Sequence, residues 1–386
     1  MAITPVSLVN SVSYQSAEAK KVSNLVTFNQ PQETEKSSEA GALKSYFMGG
    51  LAATVSFGGF PVSTGGFITK KIDDVPCSCC GGRMVRNPEM DKKAREFAGI
   101  NGEKLAEKIE ADKDFFRTPQ RVVMMLVAQE AKTHPNYDLA RAKSACGKGL
   151  KEKTQAYCIN SLKQADEVVK AAYGEDNATS KLLNKEIEKL QNGNIGRMAL
   201  TEELVKQQAS LSPEIYETVL DAAMNIPMDF NEVKKAFGDA SGSSQNIAKS
   251  LLRPSMQTIE HIHPKSLGGP NATQNFVAEC ADCNNPRGNM SYSQWLKIHP
   301  EFPLKAQDHI EWFQQQVVNG RIDSRYDDYG VDVKQTLSKE SKGIIELKVL
   351  NPEKIQELRE AKKANEDVSV KDEIAAQDKE KDENEE

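Results

Sequence analysis

One stretch in the last third of the chain decides much of the fold. Over residues 256–289 it reads MQTIEHIHPKSLGGPNATQNFVAECADCNNPRGN. Met256 to Ile262 is predicted to form a strand, and Phe276 to Glu279 a second short strand. Gly268 to Asn271 lies between them and is typical of a turn. A helix is expected over Asn285 to Ile298, so the stretch predicts two strands followed by a helix.

Two Cys-x-x-Cys pairs lie far apart in the chain, Cys77/Cys80 and Cys280/Cys283. Two residues between the cysteines let both sulfurs of a turn face one ion, and four thiolates satisfy the tetrahedral coordination of Zn²⁺. Gly81 and Gly82 follow the first pair and permit a tight turn there. Because 199 residues lie between Cys80 and Cys280, one shared zinc site requires that the intervening segment be an insertion whose ends meet. Redox-active or unrelated cysteines are the alternative.

The remaining three cysteines lie outside the proposed zinc site. Cys79 lies inside the first pair and is interpreted as a bystander, because Cys77 and Cys80 already have the usual spacing. Cys146 and Cys158 lie in helical sequence, where small buried apolar residues are expected. The total of seven is odd, which favours a reduced compartment over a complete disulfide framework.

The charge of the chain is concentrated in its tail. Residues 351–386 hold 13 acidic and 7 basic side chains, which account for the whole net charge of −6. Residues 1–350 are therefore neutral overall, and the composition excludes a uniformly basic nucleic-acid coat. No run of 18 apolar residues predicts a membrane span, and no standard secretory signal is visible, so we expect a cytoplasmic protein with non-standard secretion left open.

The residues around the first predicted strand have the chemistry of a phosphodiester-cleaving site. Glu260 and His261 lie near the strand end, where the carboxylate can be a hard metal ligand and the imidazole a general base. Asn284 directly follows Cys283, so a metal-bound turn would hold it, and its amide oxygen can be a second ligand for Mg²⁺. This set of groups suits one-metal hydrolysis of a phosphodiester.

The order of these residues resembles the HNH endonuclease family, whose fold is a ββα-metal finger often held by two Cys-x-x-Cys pairs. Carried over by position, the resemblance implies Glu260 as a metal ligand, His261 as the general base, Asn275 as the residue that braces the loop, and Asn284 as the second metal ligand. It also places Arg287 at a phosphate contact. His263, two residues after His261 and so on the same strand face, is a weaker candidate for a phosphate or auxiliary metal contact, or is simply a polar residue at the strand edge. Glu260 departs from the commoner aspartate, and the long insertion is unusual.

The resemblance implies an α+β fold: a small zinc-stapled ββα-metal nuclease core with a large, mainly α-helical insertion and disordered termini. We expect a flexible Gly/Ser-rich leader (1–70), the first zinc knuckle (71–86), the helical insertion (87–250), the nuclease core (251–300), a C-terminal helix and extension (301–350) and an acidic, disordered or helical tail (351–386). Within the extension, a strand is a possible interpretation of Gly343 to Val349.

The expected activity is divalent-metal-dependent cleavage of DNA, with duplex DNA as the partner, structural Zn²⁺, and Mg²⁺ or another divalent cation for catalysis. Lys249 to Pro300 supports this modestly, with five basic and three acidic side chains. Two alternatives stay open: a non-catalytic zinc-finger module that binds nucleic acid or protein, and a delivered nuclease toxin. The sequence leaves open RNA as a substrate, the oligomeric state, and whether the acidic tail inhibits the site.

Overall fold

The computed structural model describes residue 72 and residues 74–364, and this part of the chain is mostly helical with a two-stranded antiparallel sheet. The large helical part agrees with the expected fold class. The predicted leader, residues 1–70, and the end of the acidic tail lie outside the described residues. None of the described helices combines the length and apolar character needed to cross a membrane.

A long helical segment, residues 87–252, follows the first cysteine pair. Its helices are α1 (Asn87–Ala98), α2 (Gly102–Ala111), α3 (Thr118–Thr133), α4 (Leu139–Cys146), α5 (Leu150–Tyr173), α6 (Ala178–Gln191), α7 (Met198–Gln207), α8 (Pro213–Met224), α9 (Phe230–Asp239) and α10 (Ser244–Leu252). The Asn177 and Ser212 side chains accept hydrogen bonds from the first turns of α6 and α8, which explains where these helices start. Pro119 lies in the first turn of α3, where its missing N–H is harmless.

The helical segment contains two large apolar cores and a small cluster of Leu211, Tyr216, Leu220 and Met224. Helices α1 to α4 share one core with α9 and α10, and α5 to α8 form the other. Cys146 lies in the first core and Cys158 in the second, each fully buried among apolar side chains. Both cysteines therefore pack as small apolar residues.

The sheet pairs β1 (Gln257–His261) with β2 (Phe276–Cys280), in a register that places His261 opposite Phe276. The two ends of the helical segment meet beside it. Val85, just before α1, forms a parallel bridge with Met256, just after α10, and its N–H donates to the Ser255 carbonyl at 3.0 Å. The segment thus leaves and rejoins the chain at one place, as a shared cysteine site requires.

The chain after the sheet is helical again. It forms α11 (Ala281–Arg287), α12 (Tyr292–Trp295), α13 (Phe302–Val318), α14 (Tyr329–Glu340) and α15 (352–364). The helix predicted from Asn285 to Ile298 is wrong in its bounds: α11 starts directly after Cys280 and ends at Gly288, whose φ of +50° favours glycine. A capping box at Ser291 then begins α12.

The strand considered for Gly343 to Val349 does not form, because a helix satisfies the backbone of this segment instead. Gln307 of α13 accepts from the Lys348 N–H at 2.8 Å and donates to its carbonyl at 2.9 Å. Gln314, two turns further on, makes the same pair of bonds with Leu350 at 3.0 and 2.8 Å. The two glutamine amides therefore take the place of a neighbouring strand.

A third apolar core, the C-terminal core, joins the cysteine pairs, β2 and the helices α12 to α14. Phe313 is fully buried at its centre, with its ring centroid 4.1 Å from that of Tyr329. The Tyr329 hydroxyl donates to the Phe276 carbonyl at 3.1 Å, so this core holds β2 in place. Both tryptophans of the chain, Trp295 and Trp312, also pack here.

We predict that Phe313→Ala lowers the free energy of unfolding of the C-terminal core by about 3–5 kcal/mol, because it leaves a large cavity among well-packed rings. The measurement is urea unfolding followed by tryptophan fluorescence, which reports on this core. Met198→Ala, at a side chain 52% exposed on α7, is the control and is expected to leave the transition unchanged. A wild-type midpoint for Phe313→Ala would contradict the prediction.

Candidate metal centre and active site

The two cysteine pairs converge on one point, and we call Cys77, Cys80, Cys280 and Cys283 the cysteine cluster. Their four Sγ atoms all lie within 4.8 Å of one another, and Cys80 and Cys280 are separated by 3.9 Å. Zinc–sulfur bonds of ~2.3 Å in a tetrahedron place sulfurs ~3.8 Å apart. The cluster could therefore hold a zinc ion.

Backbone hydrogen bonds shape the first cysteine turn. The Cys77 Sγ accepts from the N–H groups of Cys79 at 3.4 Å and Cys280 at 3.3 Å. The Gly81 N–H donates to the Cys77 carbonyl at 2.9 Å, with Gly81 at φ +72°, a conformation that side chains disfavour. Cys79 is outside the cluster, and burial raises its pKa to about 12, so its thiol stays protonated at neutral pH.

Arg117, immediately before α3, reaches the cysteine cluster from the helical segment. Its Nη1 donates to the Cys80 Sγ at 2.9 Å, and its side chain is almost completely buried. Sequence reasoning missed this residue. Nothing in the pattern around a helix start relates it to a cysteine 37 positions earlier.

Glu260 and Arg287 form a buried ion pair behind the end of β1. Glu260 is 5% exposed and Arg287 fully buried, and the guanidinium also donates to the carbonyls of His261 at 2.5 Å and Met290 at 2.7 Å. It lies 4.6 Å over the Tyr292 ring. The structure thus places Arg287 inside the protein, and not on a surface where it could contact a substrate phosphate as the sequence suggested.

His261 is the last residue of β1 and remains partly accessible. Its Nε2 lies 3.3 Å from the Asn271 Oδ1, and its ring packs edge-on against Phe276 with centroids 4.9 Å apart. Partial burial lowers the pKa of His261 from its ordinary value, which favours the neutral ring.

Asn284 lies on α11 with its amide against β1. The Nδ2 donates to the Thr258 Oγ1 at 2.9 Å, two residues before Glu260. The structure therefore brings Asn284 to the strand that carries Glu260 and His261.

Asn275 closes the loop between the strands, residues 262–275, from inside. Its Oδ1 accepts from the His263 N–H at 2.7 Å, and its Nδ2 donates to the carbonyls of His263 at 3.0 Å and Pro270 at 2.9 Å. The side chain is 1% exposed. A Cβ at Gly269 would lie 1.9 Å from the His263 carbonyl oxygen, so a side chain there would disrupt the same loop.

His263, the other suggested phosphate contact, is engaged within the protein. Its Nδ1 lies 3.1 Å from a Glu340 carboxylate oxygen on α14, and its Nε2 lies 3.1 Å from the Leu267 carbonyl oxygen. The ring thus connects the loop to α14. Glu340 is 77 positions away in the sequence, so no local pattern could have revealed it.

We predict that Asn275→Ala lowers the free energy of unfolding of the C-terminal core by about 2–3 kcal/mol, because one N–H and two carbonyls lose their partner in a buried place. Urea unfolding followed by tryptophan fluorescence measures it. Asn289→Ala is the control, since this exposed amide accepts from the exposed Ser266 hydroxyl, and we expect a change under about 0.5 kcal/mol. Equal stability of the two variants would contradict the bracing role.

The comparison with known proteins bears on the same region. Residues 252–296 match the family model described as HNH endonuclease. The match includes β1, β2 and the second cysteine pair, and it leaves out the first pair and the helices α1 to α9. No curated protein and no solved structure matches the chain. The resemblance inferred from the sequence is thus confirmed over residues 252–296, where the chain matches the HNH endonuclease family model.

Proposed function

We propose that the protein is a metal-dependent HNH-type endonuclease that hydrolyses DNA phosphodiester bonds. The family match over residues 252–296 carries the proposal, because it contains the candidate site residues Glu260, His261, Asn275 and Asn284. In this proposal β1, β2 and α11 form the ββα-metal core, residues 71–86 supply the first zinc knuckle, 87–250 are an insertion, and 301–350 are a C-terminal extension. A cytoplasmic location goes with it, as a reducing compartment that keeps thiols available.

We assign structural Zn²⁺ to the cysteine cluster. The sulfur separations and the purely thiolate donor set support zinc over magnesium, which prefers oxygen ligands. Held there, the ion would join the chain before α1 to the chain after β2. Its role in the proposal is to staple the core, at a distance from the reacting groups.

Glu260 and Asn284 are the proposed ligands of the catalytic cation, Mg²⁺ or another divalent ion. Their carboxylate and amide oxygens suit such an ion. The ion pair with Arg287 leaves the carboxylate able to act as a ligand, because it has a second oxygen. When bound, the cation would stabilise the charge that develops on the phosphate and on the leaving oxygen.

His261 is the proposed general base. The amide oxygen of Asn271 is an acceptor, so the neutral ring carries its proton on Nε2 and presents the Nδ1 lone pair. Nδ1 would take a proton from the water that attacks phosphorus. Burial lowers the pKa of His261, which favours the neutral form of the ring that this role requires.

Arg287 acts in this proposal through its neighbours. It holds Glu260 by charge and the end of β1 through the His261 carbonyl, so it fixes the position of both groups. The positive charge that faces the substrate must then come from the surface. Lys265, exposed in the loop between the strands, is one such group beside His261.

We predict that the full-length protein nicks supercoiled plasmid DNA in Mg²⁺ and is inactive in EDTA. His261→Ala is expected to lower the rate by 10²-fold or more, a typical loss for a general base, without loss of bound zinc. The readout is conversion to the nicked form on an agarose gel.

The matched control for this assay is His134→Ala, at an exposed histidine that follows α3. It should cleave at the wild-type rate. Plasmid that stays intact with wild-type protein in Mg²⁺ would overturn the enzyme and favour a non-catalytic binding module.

We predict about one zinc per chain, and its loss in the double variant Cys77→Ser/Cys80→Ser, because half of the ligands are removed. Elemental analysis of the purified protein measures it. Cys79→Ser tests the assignment closely, since it changes a buried thiol in the same turn and should keep its zinc. Full zinc content in the double variant would refute the shared site.

A further inference from the structure

Arg117 is a buried cation whose hydrogen-bond acceptors are all uncharged in their ordinary state. Besides the Cys80 sulfur at 2.9 Å, the guanidinium donates to the carbonyls of Arg83 and Asp114, the latter at 3.1 Å. Its side chain is 4% exposed. A buried guanidinium without a counter-charge is strongly unfavourable, and the cysteine cluster, whose Cys80 it contacts, can supply that charge beside Asp282, which also interacts with Arg117 electrostatically.

The charge of the cluster meets this need. Four thiolates around one Zn²⁺ carry a net charge of about −2. Arg117 places a fixed positive charge in direct contact with one of these sulfurs, and its planar fork leaves the other Nη for backbone carbonyls. The two parts therefore compensate each other inside the protein.

Gly82 gives an independent sign that the contact is built into the fold. A Cβ at this position would lie 1.9 Å from the Arg117 Nη1 and 2.5 Å from its Cζ. Gly82 does not have the positive φ that Gly81 has, so the turn itself does not require it. The second glycine leaves space for the guanidinium.

The contact between Arg117 and Cys80 is also connected to the helical segment by hydrogen bonds. Thr118, the next residue, donates from its hydroxyl to the Met224 carbonyl at the end of α8, at 2.8 Å. Arg197 donates to the Thr118 hydroxyl at 3.0 Å and to the same carbonyl at 3.2 Å. Polar contacts thus connect Cys80 with α3, α7 and α8.

We propose that Arg117 is a positioning residue for the metal centre: it compensates the thiolate charge, donates to Cys80, and so links zinc retention to the docking of the helical segment on the sheet. This rests on the proposed zinc site. It does not depend on nuclease activity.

The test measures the rate of zinc release from the full-length protein to a chromogenic chelator in excess. Arg117→Met, which removes the charge and the donors at similar length, is expected to release zinc at least 10-fold faster, since outer partners of metal ligands typically contribute 10–100-fold. Arg117→Lys keeps the charge but loses the planar fork of donors. Its rate of zinc release should lie between those of the wild type and Arg117→Met. An unchanged rate in folded Arg117→Met would overturn the proposal.

Arg121→Met is the matched control. Arg121 lies one turn further along α3 and bonds to the Lys113 carbonyl at 3.1 Å and to Asn225, directly after α8, at 3.0 Å, with no cysteine partner among the described residues. It should release zinc within about twofold of the wild-type rate. Equal acceleration in both variants would assign the effect to helix packing and overturn the proposal.

Cobalt substitution provides a spectroscopic band that would stay unchanged if Arg117 served only to pack the helices. Loss of the hydrogen bond to Cys80 should shift the sulfur-to-cobalt charge-transfer band to longer wavelength in Arg117→Met, with no shift in Arg121→Met. If Arg117→Met does not fold, the cobalt charge-transfer band and the zinc-release rate of Arg117→Lys serve as the test. Wild-type values for both would overturn the proposal. Wild-type protein without zinc would overturn both the zinc site and this inference, whereas zinc-loaded protein that cleaves no DNA would leave the inference standing.

Discussion

The cysteine cluster joins parts of the chain that are 203 positions apart, since the Cys280 N–H donates to the Cys77 sulfur at 3.3 Å. The entropic cost of closing a loop grows only with the logarithm of its length, so each further residue in so long a loop adds little to that cost. A whole helical segment with two apolar cores of its own can therefore lie between the pairs. Such an insertion requires that its two ends lie together, and the bridge between Val85 and Met256 shows that they do.

The geometry of the candidate active site follows from the same cluster. Helix α11 starts directly after Cys280, so anything that holds Cys283 also fixes the turn that carries Asn284. One turn further, Arg287 pairs with Glu260 and holds the carbonyl of His261. The position of His261 thus depends on successive contacts from the cysteine sulfurs through α11 to the buried Arg287 guanidinium, which bonds the His261 carbonyl.

Local patterns predicted the parts of the structure that depend on neighbours in sequence. The strand pair, the cysteine spacing and the proline at the start of α3 belong to this group. The helix predicted over Asn285 to Ile298 is misplaced, since α11 begins directly after Cys280 and ends before Gly288, whose φ is +50°. The strand considered for Gly343 to Val349 does not form, and Gln307 of α13 bonds the backbone at Lys348 instead, which no pattern within the segment shows.

Candidate residues divide in the same way. Cys77, Cys80, Cys280 and Cys283 could be grouped by spacing alone, whereas the partners of Arg287, His263 and Arg117 are 27, 77 and 37 positions distant. A buried charge is stable only with suitable partners, and these partners are distant in sequence. The roles of these residues could therefore be assigned only from the fold.

Zinc K-edge X-ray absorption on the full-length protein tests the shared metal centre most directly. The structure predicts four sulfur neighbours at about 2.3 Å from a single zinc. Two sulfurs completed by nitrogen or oxygen, or protein without zinc, would contradict a centre built from both cysteine pairs.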